Sequence, residues 1–176
     1  GISTLNFGEI WYFLEQEIKM PVDVIDKKAF NRIDLDDYDV IVLASGTYNE
    51  LAGENVFSSL DTWIKQGGKL ILFERAIGNF IGDNKFALEK YNDNEDEDVD
   101  DPILYAFAEE ERENLRKYIQ GGIIKVEMDQ THPLAYGYDN EYYTLKNNST
   151  SYKFLDDGWN VGYISSNKNV VAGFVG

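Results

Sequence analysis

The sequence predicts an α/β fold with a mostly parallel sheet, helices on both faces, and a β-rich C-terminal part. Three observations carry that expectation. Residues 38–44 (YDVIVLA) and 70–73 (LILF) are near-continuous apolar runs of the kind that form strands buried in a sheet. Between them Val56, Phe57, Leu60, Trp63 and Ile64 recur at helical spacing. The order helix, strand, strand, helix, strand, with tight joints, is that of a parallel sheet covered by helices. Such sheets open with a strand, whereas this chain opens with a helix, so a first strand is expected upstream.

The opening helix has Asn6 as its expected cap and Glu9 three residues on as the returning half of a capping box. Phe7, Ile10, Trp11, Leu14 and Ile18 form its apolar stripe, and Pro21 is expected to end it. Val22, Val24 and Ile25 alternate with polar positions as a short strand. After a polar turn comes the 38–44 run, which stops at Ser45-Gly46. The second helix ends at Gly67-Gly68, where a left-handed residue is wanted.

A composition break follows. From Glu89 to Glu113 twelve acidic residues face only Lys90 and Arg112, so about −10 of the net −16 lies in that stretch. Residues 92–98 read as a solvated loop. Asp101-Pro102 resembles a helix cap with proline at the first position, and Ile103, Leu104, Phe107, Leu115, Tyr118 and Ile119 suggest one or two short helices. Strands are expected at 123–128, 142–145, 152–155, 161–164 and 170–175. There is no internal repeat and no dividing linker, so residues 1–176 read as one domain. The start, Gly1-Ile2-Ser3-Thr4 without Met, suggests a piece of a longer protein.

Composition excludes several classes of function. With 32 acidic and 16 basic residues, the chain is repelled by phosphate backbones and anionic membrane surfaces, so nucleic acid and membrane are poor partners. No apolar run approaches the roughly 20 residues of a membrane span. Cysteine is absent, which removes disulfides, thiolate metal sites and a Cys nucleophile. The single histidine, His132, makes a closed zinc site unlike this chain.

The remaining chemistry concentrates in a few places. A strand-to-helix elbow, where strain exposes a nucleophile beside backbone N–H donors, is expected at residues 72–78, but its exposed positions hold Glu74 and Arg75, read as an ion-paired lining. Ser45 is a loop serine in preference to a partner of His132. His132 precedes Pro133 and reads as a turn cap in preference to a catalytic base. Asp93, Glu95 and Glu97 alternate as calcium ligands would, yet the glycine of a calcium-binding loop is replaced by Asp98. Tyr136, Tyr138, Tyr142, Tyr143, Tyr152, Trp159 and Tyr163 suit a stacking platform for glycan or peptide, but read first as strand packing. Ser45, Gly46, Glu74, Arg75 and His132 are the ligand-binding candidates, placed by strand ends alone. No residue is assigned a catalytic or metal-binding role.

Several segments carry a family resemblance: FGEIWYFLEQ (7–16), FNRIDLDDYDVIVLASGTY (30–48), WIKQGGKLILFERAIGNF (63–80), MDQTHPLAYGY (128–138) and YYTLK (142–146). Together they resemble the class I glutamine amidotransferase-like domain that follows the peptidase domain in secreted bacterial zinc carboxypeptidase-like proteins. The resemblance implies a flavodoxin-like sheet with its first strand ahead of the 7–16 helix. Active amidotransferases have Cys at the elbow and a His-x-Glu pair, whereas this chain has Glu74-Arg75 and His132-Pro133-Leu134. What the resemblance implies is a non-catalytic accessory domain of a metallopeptidase. Its partner is the upstream peptidase domain, where zinc is expected, and its location is extracytoplasmic, periplasmic or secreted. The alternatives are a glycan- or peptide-binding module, and a hydrolase using carboxylates that no motif reveals.

Overall fold

Ser3, not Asn6, starts the first helix. In the computed structural model, which describes residues 1–51, 53–91, 119–165 and 169–175, Ser3 is extended and its Oγ accepts the N–H of Asn6 at 3.3 Å. Helix α1 then runs over Thr4–Tyr12. Asn6 does not cap because its side chain is engaged elsewhere: Oδ1 accepts the N–H of Ser45 at 2.7 Å. The helix widens into a π-turn over Phe13–Glu17, closed by the Ile18 N–H on the Phe13 carbonyl at 3.0 Å. Lys19, at φ +57°, ends it two residues before Pro21. Ile10 and Leu14 of the stripe are half-buried, while Phe7, Trp11 and Ile18 are exposed.

The strand expected at 22–25 does not form. An unpaired strand leaves its backbone groups unsatisfied, and this segment has no strand partner among the described residues. Two aspartates instead draw the chain into 3₁₀ turns. Asp26 accepts the Lys28 N–H at 2.8 Å ahead of Lys27–Arg32, and Asp34 accepts the Asp36 N–H at 3.1 Å ahead of Leu35–Asp37.

Strand β1 (Val40–Leu43) and strand β2 (Lys69–Leu72) pair in parallel, with Ile41 opposite Leu70 and Leu43 opposite Leu72. Helix α2 (Glu54–Lys65) is the crossover that a parallel pair requires. One face of the pair, with Ile41, Leu43, Leu70 and Leu72, joins Leu60, Trp63, Ala76 and Phe80 in the core. On the other face Val40 and Ile71 remain exposed, so the expected burial on both faces is corrected to burial on one. Gly67 takes φ +113° at the helix end. Gly68 has a second reason to be glycine: a Cβ there would sit 2.3 Å from the Trp63 indole. Trp63 itself donates from Nε1 to the Tyr38 carbonyl at 2.9 Å, tying α2 to the entry of β1. Phe57, Phe80 and Phe86 close the core as an aromatic trio with centroids 5.0 to 5.8 Å apart.

Contacts divide the chain into two units, Gly1–Leu88, described above, and Glu89–Gly176. The second is built on strand β3 (Ile119–Met128). Strand β4 (Glu141–Lys146) runs antiparallel along one side of β3, and strands β5 (Gly162–Tyr163) and β6 (Val170–Val175) along the other. The α/β class therefore stands, but among the described strands one pairing is parallel and three are antiparallel, not a mostly parallel sheet. The second unit lacks the helical crossovers that would change strand direction among its described residues. Gly173, at φ +94°, lies so close to β3 that a Cβ would approach the Gly121 carbonyl oxygen to 2.4 Å.

Three further expectations change. Ile119 opens β3 instead of closing a helix. Residues 152–155 form no strand, and Tyr152 makes only an isolated bridge with Lys90. The strand at 161–164 shortens to Gly162–Tyr163. The acidic loop with its calcium question at 92–98 and the helices expected from Asp101 to Tyr118 lie outside the described residues.

Leu60 is fully buried, so Leu60→Ala should lower unfolding free energy by about 2–5 kcal/mol in urea titrations. Leu5→Ala, at a residue 82% exposed, should stay within about 0.5 kcal/mol of the parent.

Candidate functional site

Parallel pairing brings the carboxyl ends of β1 and β2 together, and four of the five candidate residues lie on the loops that leave them. The loop after β1 is held by side chains from both directions. Ser45 donates its N–H to Asn6 Oδ1 and accepts the Ser3 N–H at 2.8 Å. Gly46 crosses Ile2 so closely that a Cβ would meet the Ile2 Cα at 2.9 Å. Asn79 donates from Nδ2 to the carbonyls of Gly46 (3.1 Å) and Ala76 (2.9 Å), while its Oδ1 accepts the Tyr48 N–H at 2.9 Å. Tyr48 returns its hydroxyl to the Ala44 carbonyl at 2.7 Å, and burial pushes the phenol pKa up.

The loop after β2 is a sharp bend. Phe73 is extended, Glu74 turns to φ +44°, and a 3₁₀ helix follows at once over Glu74–Asn79. A positive φ on a residue with a Cβ is strained, by roughly 1–2 kcal/mol. The bend expected at residues 72–78 is thus present, with Glu74 at its apex. The ion pair expected of Glu74 and Arg75 is not: both side chains are exposed, and neither forms a salt bridge among the described residues. The reason is geometric, since consecutive residues at the start of a tight helix diverge and do not face each other.

Ser45 is 2% exposed. A hydroxyl at that depth supports the loop and does not meet a ligand. His132 belongs to the other unit. Its Nδ1 accepts the Leu134 N–H at 3.2 Å and caps the 3₁₀ turn Pro133–Ala135, the turn-capping role read from the sequence. Its ring lies against the Trp159 indole, with centroids 5.5 Å apart.

Sequence reasoning missed Asn6 as a long-range acceptor and Asn79 altogether. Asn6 carries a local capping signature that conceals its distant partner, and Asn79 sits in a segment with no motif. Also unforeseen is an open groove of about 1000 Å3 between α2 and the 3₁₀ turns, lined by Phe30, Asp34, Asp36, Ser59 and Thr62 among others. Near it the Lys27 ammonium lies 2.9 Å from Glu50 Oε2 and holds that carboxyl below its ordinary pKa.

In the second unit the reading of the tyrosines as packing is corrected. Tyr136, Tyr138, Tyr142, Tyr143, Tyr152 and Trp159 are exposed, and only Tyr163 is half-buried, against Phe154. Tyr142 and Tyr143 point to opposite faces of β4, so both are open there, with Tyr143 on the face of Glu141. On that face Glu141 is shared: Lys125 Nζ donates to Oε1 at 2.8 Å and the Tyr143 hydroxyl to Oε2 at 3.0 Å. These bonds lower the Glu141 pKa and raise those of Lys125 and Tyr143. Among the described residues no three of His, Asp and Glu group as a metal site. No protein-family model, curated protein or solved structure matches the chain.

Asn79→Ala should reduce stability by about 1–3 kcal/mol in urea unfolding, since it orphans the buried Tyr48 N–H and Gly46 carbonyl. Glu74→Gly should cost nothing and gain up to about 1 kcal/mol, because glycine accepts positive φ.

The depressed Glu141 pKa contributes stability present above the ordinary carboxylate pKa and lost as pH falls through the lowered value. The raised Lys125 pKa contributes stability present below the ordinary lysine value and lost as pH rises through the raised one. In Lys125→Ala, carboxyl NMR titration should show the Glu141 pKa moving upward.

Proposed function

We propose that the chain is a non-catalytic accessory module, similar in plan to a class I glutamine amidotransferase, that accompanies a zinc carboxypeptidase-like domain in a longer extracytoplasmic protein. One observation supports this above the others. The strand-to-helix bend that an acyl-transfer enzyme needs is built, and the strained residue at its apex is Glu74. A carboxylate there has no thiol or hydroxyl chemistry to offer a carbonyl, and neighbouring Ser45 is buried. In this reading the β1–β2 pair is part of a flavodoxin-like sheet, and zinc belongs to the peptidase domain and not to this module.

The exposed Glu74 and Arg75 side chains then serve recognition, on a bend braced by the buried loop of residues 44–48. The module's contribution is to position substrate or brace the peptidase domain, not to break a bond.

Two measurements test the reading. Glutamine hydrolysis by the purified chain, followed as ammonia release, should equal the buffer blank and be unaffected by Glu74→Ala or Arg75→Ala. Activity that either substitution abolishes would overturn the non-catalytic half. Co-expression with the peptidase domain of the same reading frame should yield a one-to-one complex on gel filtration, and separate elution would overturn the accessory half.

A further inference from the structure

The second unit presents an aromatic surface that its own packing does not use. Two loops meet at the end of β3. The Met128 N–H donates to the Asn140 carbonyl at 2.9 Å, and the Asp129 N–H to the Val161 carbonyl at 2.8 Å. Each loop is braced internally. Gln130 Nε2 donates to the Tyr138 carbonyl at 3.1 Å, and the Asn160 amide exchanges two hydrogen bonds of 3.0 Å with the Leu155 backbone. On this braced frame Tyr136 is 92% exposed and Trp159 76% exposed. Trp159 rests against His132, which joins the two loops, and Tyr138 lies edge-on to Tyr142, so the exposed rings stand in two pairs on this frame. Clustered exposed aromatics mark interaction sites.

Charge narrows the partner. Residues 126–145 and 154–165 contain no Lys or Arg at all, and they carry Glu127, Asp129, Asp139, Glu141, Asp156 and Asp157. Three of these have internal partners: Glu141 pairs with Lys125, Asp129 with Thr131, and Glu127 with Ser165. Asp139, Asp156 and Asp157 make no ion pair among the described residues. Lys125, which borders the first stretch, is already engaged by Glu141. An aromatic surface rimmed by carboxylates without ion pairs attracts ammonium and guanidinium groups, which stack on the rings while the rim steers them in. A neutral sugar would use the rings and could donate hydroxyls to the rim but would gain no charge attraction from it, and an acidic partner would be repelled by it.

We propose that this surface docks a basic peptide segment, with Lys or Arg side chains over Tyr136 and Trp159 and facing Asp139, Asp156 and Asp157. Calorimetry of the full chain tests it with three probes: a Lys/Gly decapeptide, the same peptide fully acetylated on its lysines, and cello- and chitohexaose. The Lys peptide should bind, weakening as salt rises, and the acetylated peptide and sugars should not. Trp159→Ala and Tyr136→Ala should each weaken binding about tenfold, and the triple Asp139→Asn, Asp156→Asn, Asp157→Asn variant at least as much. These residues are exposed, so the variants should keep the parent circular dichroism. Absence of binding by the Lys peptide, or equal binding by the acetylated peptide or a sugar, overturns the proposal. So does Lys-peptide binding that survives both aromatic substitutions, because the cations would then be collecting elsewhere on this acidic chain.

Discussion

Two asparagine side chains hold the loop after β1, and the geometry of the candidate site follows from them. Asn6 reaches across 39 residues to the Ser45 N–H, and Asn79 grips Gly46 and Tyr48 from the opposite direction. A buried backbone group without a partner costs about 1–3 kcal/mol, so these bonds decide whether the loop has one conformation or several. With the loop fixed, the bend at Glu74 is fixed too, because Asn79 closes the 3₁₀ helix that the bend starts. Strain at φ +44° persists only when the surroundings determine it, and here they are the Asn79 amide, the Phe73 N–H on the Leu43 carbonyl and the buried Ala76 and Phe80.

Much of the first unit was legible in the residues. The apolar stripe of α2, the Gly67-Gly68 stop and the two strand runs depend on local pattern and on burial of one face, which period and composition reveal. The bend at 72–78 was legible because a buried strand running straight into a helix leaves few ways to turn. What escaped depends on partners far away in sequence. Asn6 looks like a cap to any local rule, yet it serves a loop 39 residues on. The alternation at 22–25 has strand character but no neighbour, and a strand is a property of pairs.

The second unit resisted reading for a related reason. Tyrosine favours strands whether or not a second layer covers them, so composition reports the strand and not its exposure. The structure places Tyr143 beside the Lys125–Glu141 pair on an open face, where its hydroxyl donates to Glu141 while the ring stays exposed. His132 is the opposite case. A lone histidine before proline announced a capped turn, and the capped turn is what it makes. The ligand-binding candidates thus divide. Glu74 and Arg75 present side chains to solvent, Ser45 and Gly46 are buried in the loop beneath them, and His132 supports a turn beside an exposed indole.

The π-turn at the end of α1 bears on how this helix tolerates change in chain length. An α-helix advances about 100° per residue, and a π-turn absorbs one residue beyond that repeat without shifting what came before. Phe13–Glu17 therefore acts as a phase adjuster between the first two turns of α1 and the exit at Lys19. A homologue one residue shorter here would regain regular winding, with Ile10 and the exit segment both keeping the sides of the axis they now occupy. A one-residue change in length here would thus be taken up by the widened turn, with neither the helix nor its exit put out of register.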